Sequence, residues 1–391
     1  MLKHIKPSIR NIFIVILSLI IMLASAGCGS TKSESSANSG PLKLEGIKYE
    51  SKMKKTYAKG FDVYYYNKGY MEIDVHGSNR YLLIPKNGKT PKKLPDDVVI
   101  LRKPLKKIYL AASAEMALFN AMNALDRISF TATDAGDWYI DAAKAALKDG
   151  RITYAGKYSA PDYEMLVNKG CDIAIESTMI LHTPEVSEKL NKLGIPVFID
   201  YSSYETHPLG RVEWIKLYGA MTDKEDEAEK FFLTQKKIID DLEGTKNTDK
   251  TVAFFFINSA GQVITRASED YIPKMIEIAG GKYIFQDLKN PNKDSRSASI
   301  NMSMEDFYKK AKDSDYLIYN ASIESPLSSV DELIAKSKLF RKFKAVKNGN
   351  VYTTDKYLYQ ATDVMGQLIK DIHMMLTGTE GNHMTFLKEV K

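Results

Sequence analysis

The side chains that could bind a ligand, move protons or hold a metal are few in this chain, and they are scattered. Six histidines stand at 4, 76, 182, 207, 373 and 383, and the two cysteines, Cys28 and Cys171, cannot build a multi-cysteine metal cluster. No GxxxxGK[ST], GxGxxG, HExxH or GxSxG stretch occurs, so nucleotide-binding, zinc-protease and serine-hydrolase readings lack their sequence marks. A hydrolase would need a spatial pair instead, with Ser177 or Ser259 near His207. What recurs is a hydroxyl-bearing or aromatic residue just after an apolar run. Trp138 follows 128–132, Thr178 and Met179 follow 171–175, Tyr204 and His207 follow 196–200, Arg266 closes 262–266, and Tyr357 follows 351–354. Flat aromatic faces, hydroxyls, one arginine and one histidine suit a pocket for a sizeable ligand with a polar or anionic part. His207 precedes Pro208, a residue suited to the first turn of a helix, so it could ligate a metal centre, bond an anion or simply cap that helix. Trp138 could stack on a ligand or close the core. Cys171, alone in an apolar run, reads as core, and Arg211 and Glu213 read as ion-pairing residues.

These residues matter only through the elements that place them. The chain has 391 residues, 44% of them apolar and 27% charged, which is a globular balance with length for two domains. Its formal charge of +6 is a mild excess that gives little support to a nucleic-acid partner. Residues 1–27 read as a signal peptide, with Lys3, Lys6 and Arg10 ahead of the apolar stretch 12–23. Removing them lowers the charge to about +3. Residues 28–41, rich in Ser and Gly, read as a flexible polar tether. Alternation over 61–66 and 70–75 around Asn67-Lys68-Gly69 predicts a hairpin. Short apolar runs at 107–111, 128–132, 171–175 and 196–200 then alternate with helical patterns. Those patterns begin near 115 (with Ser113 as N-cap) and over 137–148, 161–169, 184–193 and 208–220. A longer helix at 225–242 breaks the rhythm, and strands and helices resume to a closing helix at 362–376. The predicted fold class is α/β: two lobes with parallel-rich sheets, a single long helix joining them, and a ligand cleft between them. The expected divisions are 42–221 for the first lobe, 222–246 for the linking helix and 247–391 for the second lobe. Ligands of open α/β sheets bind outside the carboxyl ends of strands, where the residues above fall.

Several stretches also resemble a known family. Ala26-Gly27-Cys28 after the apolar run resembles a bacterial lipoprotein signal, although Ser25 stands where Leu or Val is usual. KIYLAASAEMALFNAMNAL at 107–125, YSAPDYEMLVNKGCDIAI at 158–175, LGIPVFI at 193–199, YIPKMIEIAGGKYIF at 271–285 and FKAVKNGNVY at 343–352 are similar to the class III substrate-binding proteins of ABC importers. Cys171-Asp172 stands where members often have Pro-Asp, and YSSYETHPLGRVEWIKLYGA at 201–220 marks a subgroup. The resemblance implies a monomeric, lipid-anchored protein outside the cell membrane, held by Cys28, with no enzymatic activity and no cofactor of its own. It would deliver a metal chelate, foremost a ferric siderophore, to a permease and its ATPase. Haem, cobalamin or an oxyanion such as molybdate are the alternatives, with His207 or Met179 as axial ligands for the first two. Glu164 and Glu305 match the glutamates with which the family docks onto permease arginines. A surface sensor or a secreted hydrolase would be readings of another class.

Overall fold

The structure, a computed structural model, describes residues 40–242, 247–290, 298–379 and 384–391. The expected signal at 1–27, Cys28, most of the tether and residues 243–246 of the expected linking helix lie outside the described residues.

The chain first forms a five-stranded sheet in sequence order: β1 (Tyr49–Lys52), β2 (Phe61–Tyr66), β3 (Met71–Val75), β4 (Arg80–Ile84) and β5 (Val98–Arg102). The β2–β3 hairpin is the one the alternation predicts, and it turns through Asn67–Gly69 with Lys68 at a φ of 60°. Alternation sends Phe61, Val63, Ile73, Tyr81 and Leu83 to the main core. Tyr64, Tyr66, Leu82 and Ile84 face a small second core with Leu42 and Leu44. Glu72 is buried in this sheet, where it accepts from Arg80 Nε (2.8 Å), Leu42 N (2.8 Å) and Tyr66 Oη (2.6 Å). Arg80 Nη2 also donates to Gly40 O at 2.6 Å, which fixes the chain where its description begins.

The next sheet is parallel throughout, in the order β12-β11-β6-β7-β8. Its strands are β6 (Ile108–Leu110), β7 (Ile128–Thr131), β8 (Thr153–Tyr154), β11 (Ile173–Ser177) and β12 (Val197–Asp200), with β9 (Gly156–Lys157) and β10 (Ala160–Pro161) forming a separate two-stranded pair. Helices α1 (Met116–Ala121), α2 (Asp141–Lys148), α3 (Tyr163–Asn168) and α4 (Pro184–Lys192) make the crossovers. Two expected helix starts move. Ser113 makes no side-chain cap and opens a 3-10 turn, Ser113–Glu115. The helix expected from 137 begins at Asp141, because Asp134 accepts from Gly136 N and turns Ala135–Asp137 into a 3-10 turn.

Two helices follow, α5 (Pro208–Thr222) and α6 (Glu225–Asp240), joined through Asp223 at a φ of 57°. α6 is the expected long helix; it carries Glu225, Asp226 and Glu227 in its first turn and buries Ala228, Phe232, Gln235 and Ile239 along one face. α5 is buried on nearly every side, with Arg211 its one residue that is not. The two approach so closely that a Cβ on Gly219 would lie 2.7 Å from Ala228 Cβ.

The last sheet runs β16-β14-β13-β17-β18-β19. Its strands are β13 (Thr251–Ile257), β14 (Val263–Arg266), β16 (Ser299–Met302), β17 (Tyr316–Tyr319), β18 (Val351–Thr354) and β19 (Leu387–Glu389), and β15 (Lys282–Tyr283) pairs with β13. Around it lie α7 (Tyr271–Ile278), α8 (Met304–Ala311), α9 (Val330–Lys336), α10 (Lys344–Lys347) and α11 (Met365–Thr377). β13, β17 and β18 are parallel, and β14 is antiparallel to β13. β15, β16 and β19 are two to four residues long and carry no alternation readable from sequence.

The first sheet is tied to the rest by carboxyl groups. Glu213 on α5 accepts from the backbone amides of Thr56 (2.9 Å), Tyr57 (2.7 Å) and Ala58 (2.9 Å). Glu205 takes the next two, Lys59 (2.9 Å) and Gly60 (2.8 Å), together with Trp214 Nε1 (3.0 Å). Gly60 is required there, because a Cβ would lie 2.9 Å from the Trp214 ring. Glu213→Ala removes the acceptor of three amides, of which that of Ala58 is buried, and the expected loss is roughly 2 kcal/mol. Glu213→Gln keeps one acceptor and should lose less. Chemical unfolding midpoints check this ranking, and an unshifted Ala variant would contradict it.

Candidate functional site

Both lobes turn the carboxyl ends of their parallel strands toward a shared boundary. A buried glutamine joins them there: Gln360 Oε1 accepts from Tyr139 N (2.8 Å), and its Nε2 donates to Asp137 O (2.8 Å) and lies 2.8 Å from Tyr359 Oη. Tyr359 Oη donates to Asp137 O as well (3.3 Å). The rings of Tyr357 and Tyr359 stand 6.3 and 6.2 Å from that of Tyr139, giving an aromatic cluster across the boundary. Among the described residues, six of the eleven large apolar side chains left exposed fall at or after strand ends: Tyr139, Tyr154, Met179, Leu181, Ile323 and Tyr359. Exposed aromatic and thioether surface at strand ends makes this boundary the candidate site.

Behind the rim lies a buried polar chain. Glu115, after β6, and Asp200, ending β12, meet at Ser202, whose Oγ is 2.9 Å from Glu115 Oε1 and 2.6 Å from Asp200 Oδ1. Tyr218 Oη donates to the other Asp200 oxygen. Burial, then the nearby Asp200, pushes the Glu115 pKa well up. The Ser202 hydroxyl is the donor shared between the two acids. Arg211, close enough to favour the charged forms of both acids, reaches across to lobe two and lies 4.3 Å over the Tyr271 ring. Its Nε is buried without a hydrogen-bond partner, and among the described residues it forms no ion pair. The expected ion pair is therefore absent at Arg211. Glu213 has Lys216 Nζ at 3.3 Å as well as its three amides.

The expected ligand residues separate into two groups. Tyr357, Met179 (49% exposed), Thr178 and Tyr204 lie at strand-end turns of the boundary, Tyr204 with its ring 5.5 Å from that of Tyr201. Trp138, His207 and Arg266 do not present themselves there. Trp138 is fully buried and donates from Nε1 to Thr133 O (3.1 Å), so it closes the core. His207 Nδ1 accepts from Leu209 N (3.1 Å) and its ring stacks on Tyr57 at 4.5 Å. Burial, helped by Lys274, lowers its pKa to about 4, so the ring is neutral with its proton on Nε2. Neither nitrogen is free for a metal without breaking the cap. Arg266 closes an antiparallel strand whose Thr265 pairs with Phe255, so it comes level with the middle of β13, where it turns to Ser299 Oγ (3.3 Å) and Asp270 (4.0 Å). Sequence reading missed Tyr139 and Gln360, placed Tyr359 in a strand-end stretch without choosing it, and read Arg211 as an ion-pairing residue. All four lie within three or four residues of positions that were singled out, so the signal was in the right loops.

Glu164 and Glu305 are exposed in the first turns of α3 and α8, one on each lobe, behind N-caps from Asp162 and Ser303. Glu176, near the end of β11, is fully buried, and neither of its oxygens has a partner. Burial alone raises its pKa to about 8. Cys171 is buried as expected.

Two lobes built on parallel strands, with a rimmed boundary at their carboxyl ends, define a two-lobed ligand-binding protein. The family model described as "Periplasmic binding protein" matches residues 117–358, and the chain belongs to that family. It is similar to two uncharacterized lipoproteins of Methanocaldococcus jannaschii. One is 28% identical, covering 92% of this chain and 91% of that protein; the other is 25% identical, covering 97% and 99%. Among solved structures, the petrobactin-binding protein YclQ of Bacillus subtilis superposes with a TM-score of 0.55 at 18% identity, over 69% of this chain and 92% of that one. The periplasmic heme-binding protein HutB of Vibrio cholerae gives a TM-score of 0.54 at 17% identity, over 69% and 98%. These share the fold. The first sheet, β1 to β5, precedes the matched residues.

Glu176 gives the first lobe a defined pH response. The folded group holds its proton up to about 8, whereas the unfolded group releases it near 4.3, so its stabilising contribution is complete in acid and is lost as pH rises toward 8. Glu176→Gln should therefore show a melting temperature that falls less than the parent's between these two pKa values. Parallel melting curves across that window would refute the assignment.

Proposed function

We propose that this chain is the extracytoplasmic, lipid-anchored binding component of an ABC importer, and that its cleft takes an iron complex with an anionic part, foremost a ferric siderophore. The observation that carries this reading is Arg211. It is a partly exposed guanidinium at the lobe boundary, without an ion-pair partner among the described residues, held over Tyr271 and flanked by an aromatic rim. A fixed fork of donors beside flat aromatic faces suits a carboxylate- or catecholate-bearing chelate. Structural neighbours named for petrobactin and heme binding support the ligand class. Haem is the second reading, favoured by Met179, whose thioether stands half exposed on the same rim.

Lipoprotein-named relatives that span nearly the whole chain support anchoring through Cys28. The position of Glu164 and Glu305, one exposed carboxyl group on each lobe, supports docking onto a permease that works with an ATPase. The protein acts by binding and release, without catalysis. Of the residues a hydrolase would use, Ser177 or Ser259 with His207, both Ser177 and His207 serve as caps: Ser177 Oγ accepts from Met179 N (3.3 Å) and His207 Nδ1 from Leu209 N.

A thermal-shift screen with ferric siderophores, haem, cobalamin and molybdate tests the ligand. A binder present at a hundredfold excess over its Kd stabilises by about 2.7 kcal/mol, and a panel that shifts nothing would overturn the metal-complex reading. Arg211→Gln should weaken an anionic chelate by roughly tenfold or more; unchanged affinity would remove Arg211 from the site. Replacing Glu164 and Glu305 together by Lys should abolish uptake in cells while leaving ligand affinity intact. Normal uptake would rule out the docking role.

A further inference from the structure

The first sheet precedes the family match, and ligand capture in the cleft gives it no task. One side of it carries a groove of about 870 Å³ between residues 45–47, the β2–β3 turn and the β4–β5 crossover. Ile47, Tyr70 and Pro85 line it, and Lys68, Lys86, Lys89 and Lys92 stand on its walls against a single acid, Glu45. All four lysines are exposed, and among the described residues none has a carboxyl partner. Lys68 Nζ instead donates to Gly46 O (2.8 Å), and Tyr70 Oη to Lys89 O (2.8 Å), so the walls are braced by the groove's own backbone. Lys43, Lys48 and Lys93 are exposed nearby in sequence; Asp96 and Asp97 follow on the crossover beyond the groove. Like charges held together on a rigid frame attract an anionic surface.

The position of the groove in the chain indicates which surface that is. Gly46 follows closely on Gly40, which Arg80 clamps to the sheet. Twelve residues lead from Cys28 to Gly40, and however they are arranged they span at most about 43 Å. A chain acylated at Cys28 therefore keeps Gly40, and the sheet it is clamped to, within about 43 Å of the anchor. We propose that the lysine groove binds the phosphate headgroups of anionic lipids in the membrane that carries the anchor, so that the first sheet sits on the bilayer and sets the orientation of the two lobes above it. This inference rests on the anchoring in the proposed function.

The test uses the chain from residue 28 with Cys28→Ser, which carries no acyl group and keeps the whole compact unit Gly40–Lys391. It is compared with the same chain bearing Lys86→Glu, Lys89→Glu and Lys92→Glu, in sedimentation with vesicles of phosphatidylcholine alone or mixed with phosphatidylglycerol. The parent should bind the mixed vesicles only and be released by high salt, and the triple variant should bind roughly tenfold or more weaker with an unchanged melting temperature. Equal binding to both vesicles, no binding by the parent, or a variant that binds like the parent would overturn the proposal. Displacement by soluble glycerol phosphate would overturn it too, in favour of a site for free anions. Because no acyl group is present, none of these outcomes depends on lipidation, which fatty-acid labelling of Cys28 reads separately.

Discussion

Two buried glutamates hold this molecule together by accepting backbone amides. Residues 56–60 run between β1 and β2 without a strand to bond, and such donors are costly to bury unpaired. Glu205 and Glu213 accept five of them in succession, and each can do so because a carboxyl group offers several lone pairs. The consequence extends past the first sheet. α5, which carries Glu213, also holds lobe one through Tyr218 and Asp200 and touches lobe two through Arg211 and Tyr271. A single helix buried on nearly all sides therefore fixes three layers relative to one another.

That arrangement limits how the cleft can work. α6 lies against α5 at Gly219 and meets α11 where Gly366 N donates to Gln235 Oε1 (3.3 Å). Bending the lobes apart must work against both contacts, so the freedom left for ligand entry lies in the strand-end turns. These carry the aromatic rim and the Gln360 clasp, which bonds mostly to backbone and can re-form after a small displacement.

The α/β order of the chain was legible throughout. The hairpin at β2–β3 and the main parallel strands appear where alternation and apolar runs place them, because their side chains must segregate by face within a few residues. What failed had non-local causes. β15, β16 and β19 are strands only because a neighbour supplies hydrogen bonds. Trp138 and Met179 look alike in sequence, each just past a strand, yet one is sealed in the core and the other stands open.

The sequence by itself determined that two α/β lobes exist, that a long helix links them, and that aromatic and hydroxyl-bearing residues gather in the loops after the strands. Those are consequences of periodicity, capping and chain direction, which act over a handful of residues. Only the tertiary structure decided which residues in those loops face the boundary. Arg266 turned instead to Ser299 and Asp270, residues brought to it by other elements. His207 lost its place because a backbone amide two residues on takes its ring nitrogen. Arg211 gained one because, among the described residues, the acids near it (Glu115, Asp200 and Asp270) stop short of an ion pair. Strand direction and the pairing of charges are settled by elements distant in sequence, and no local pattern encodes them.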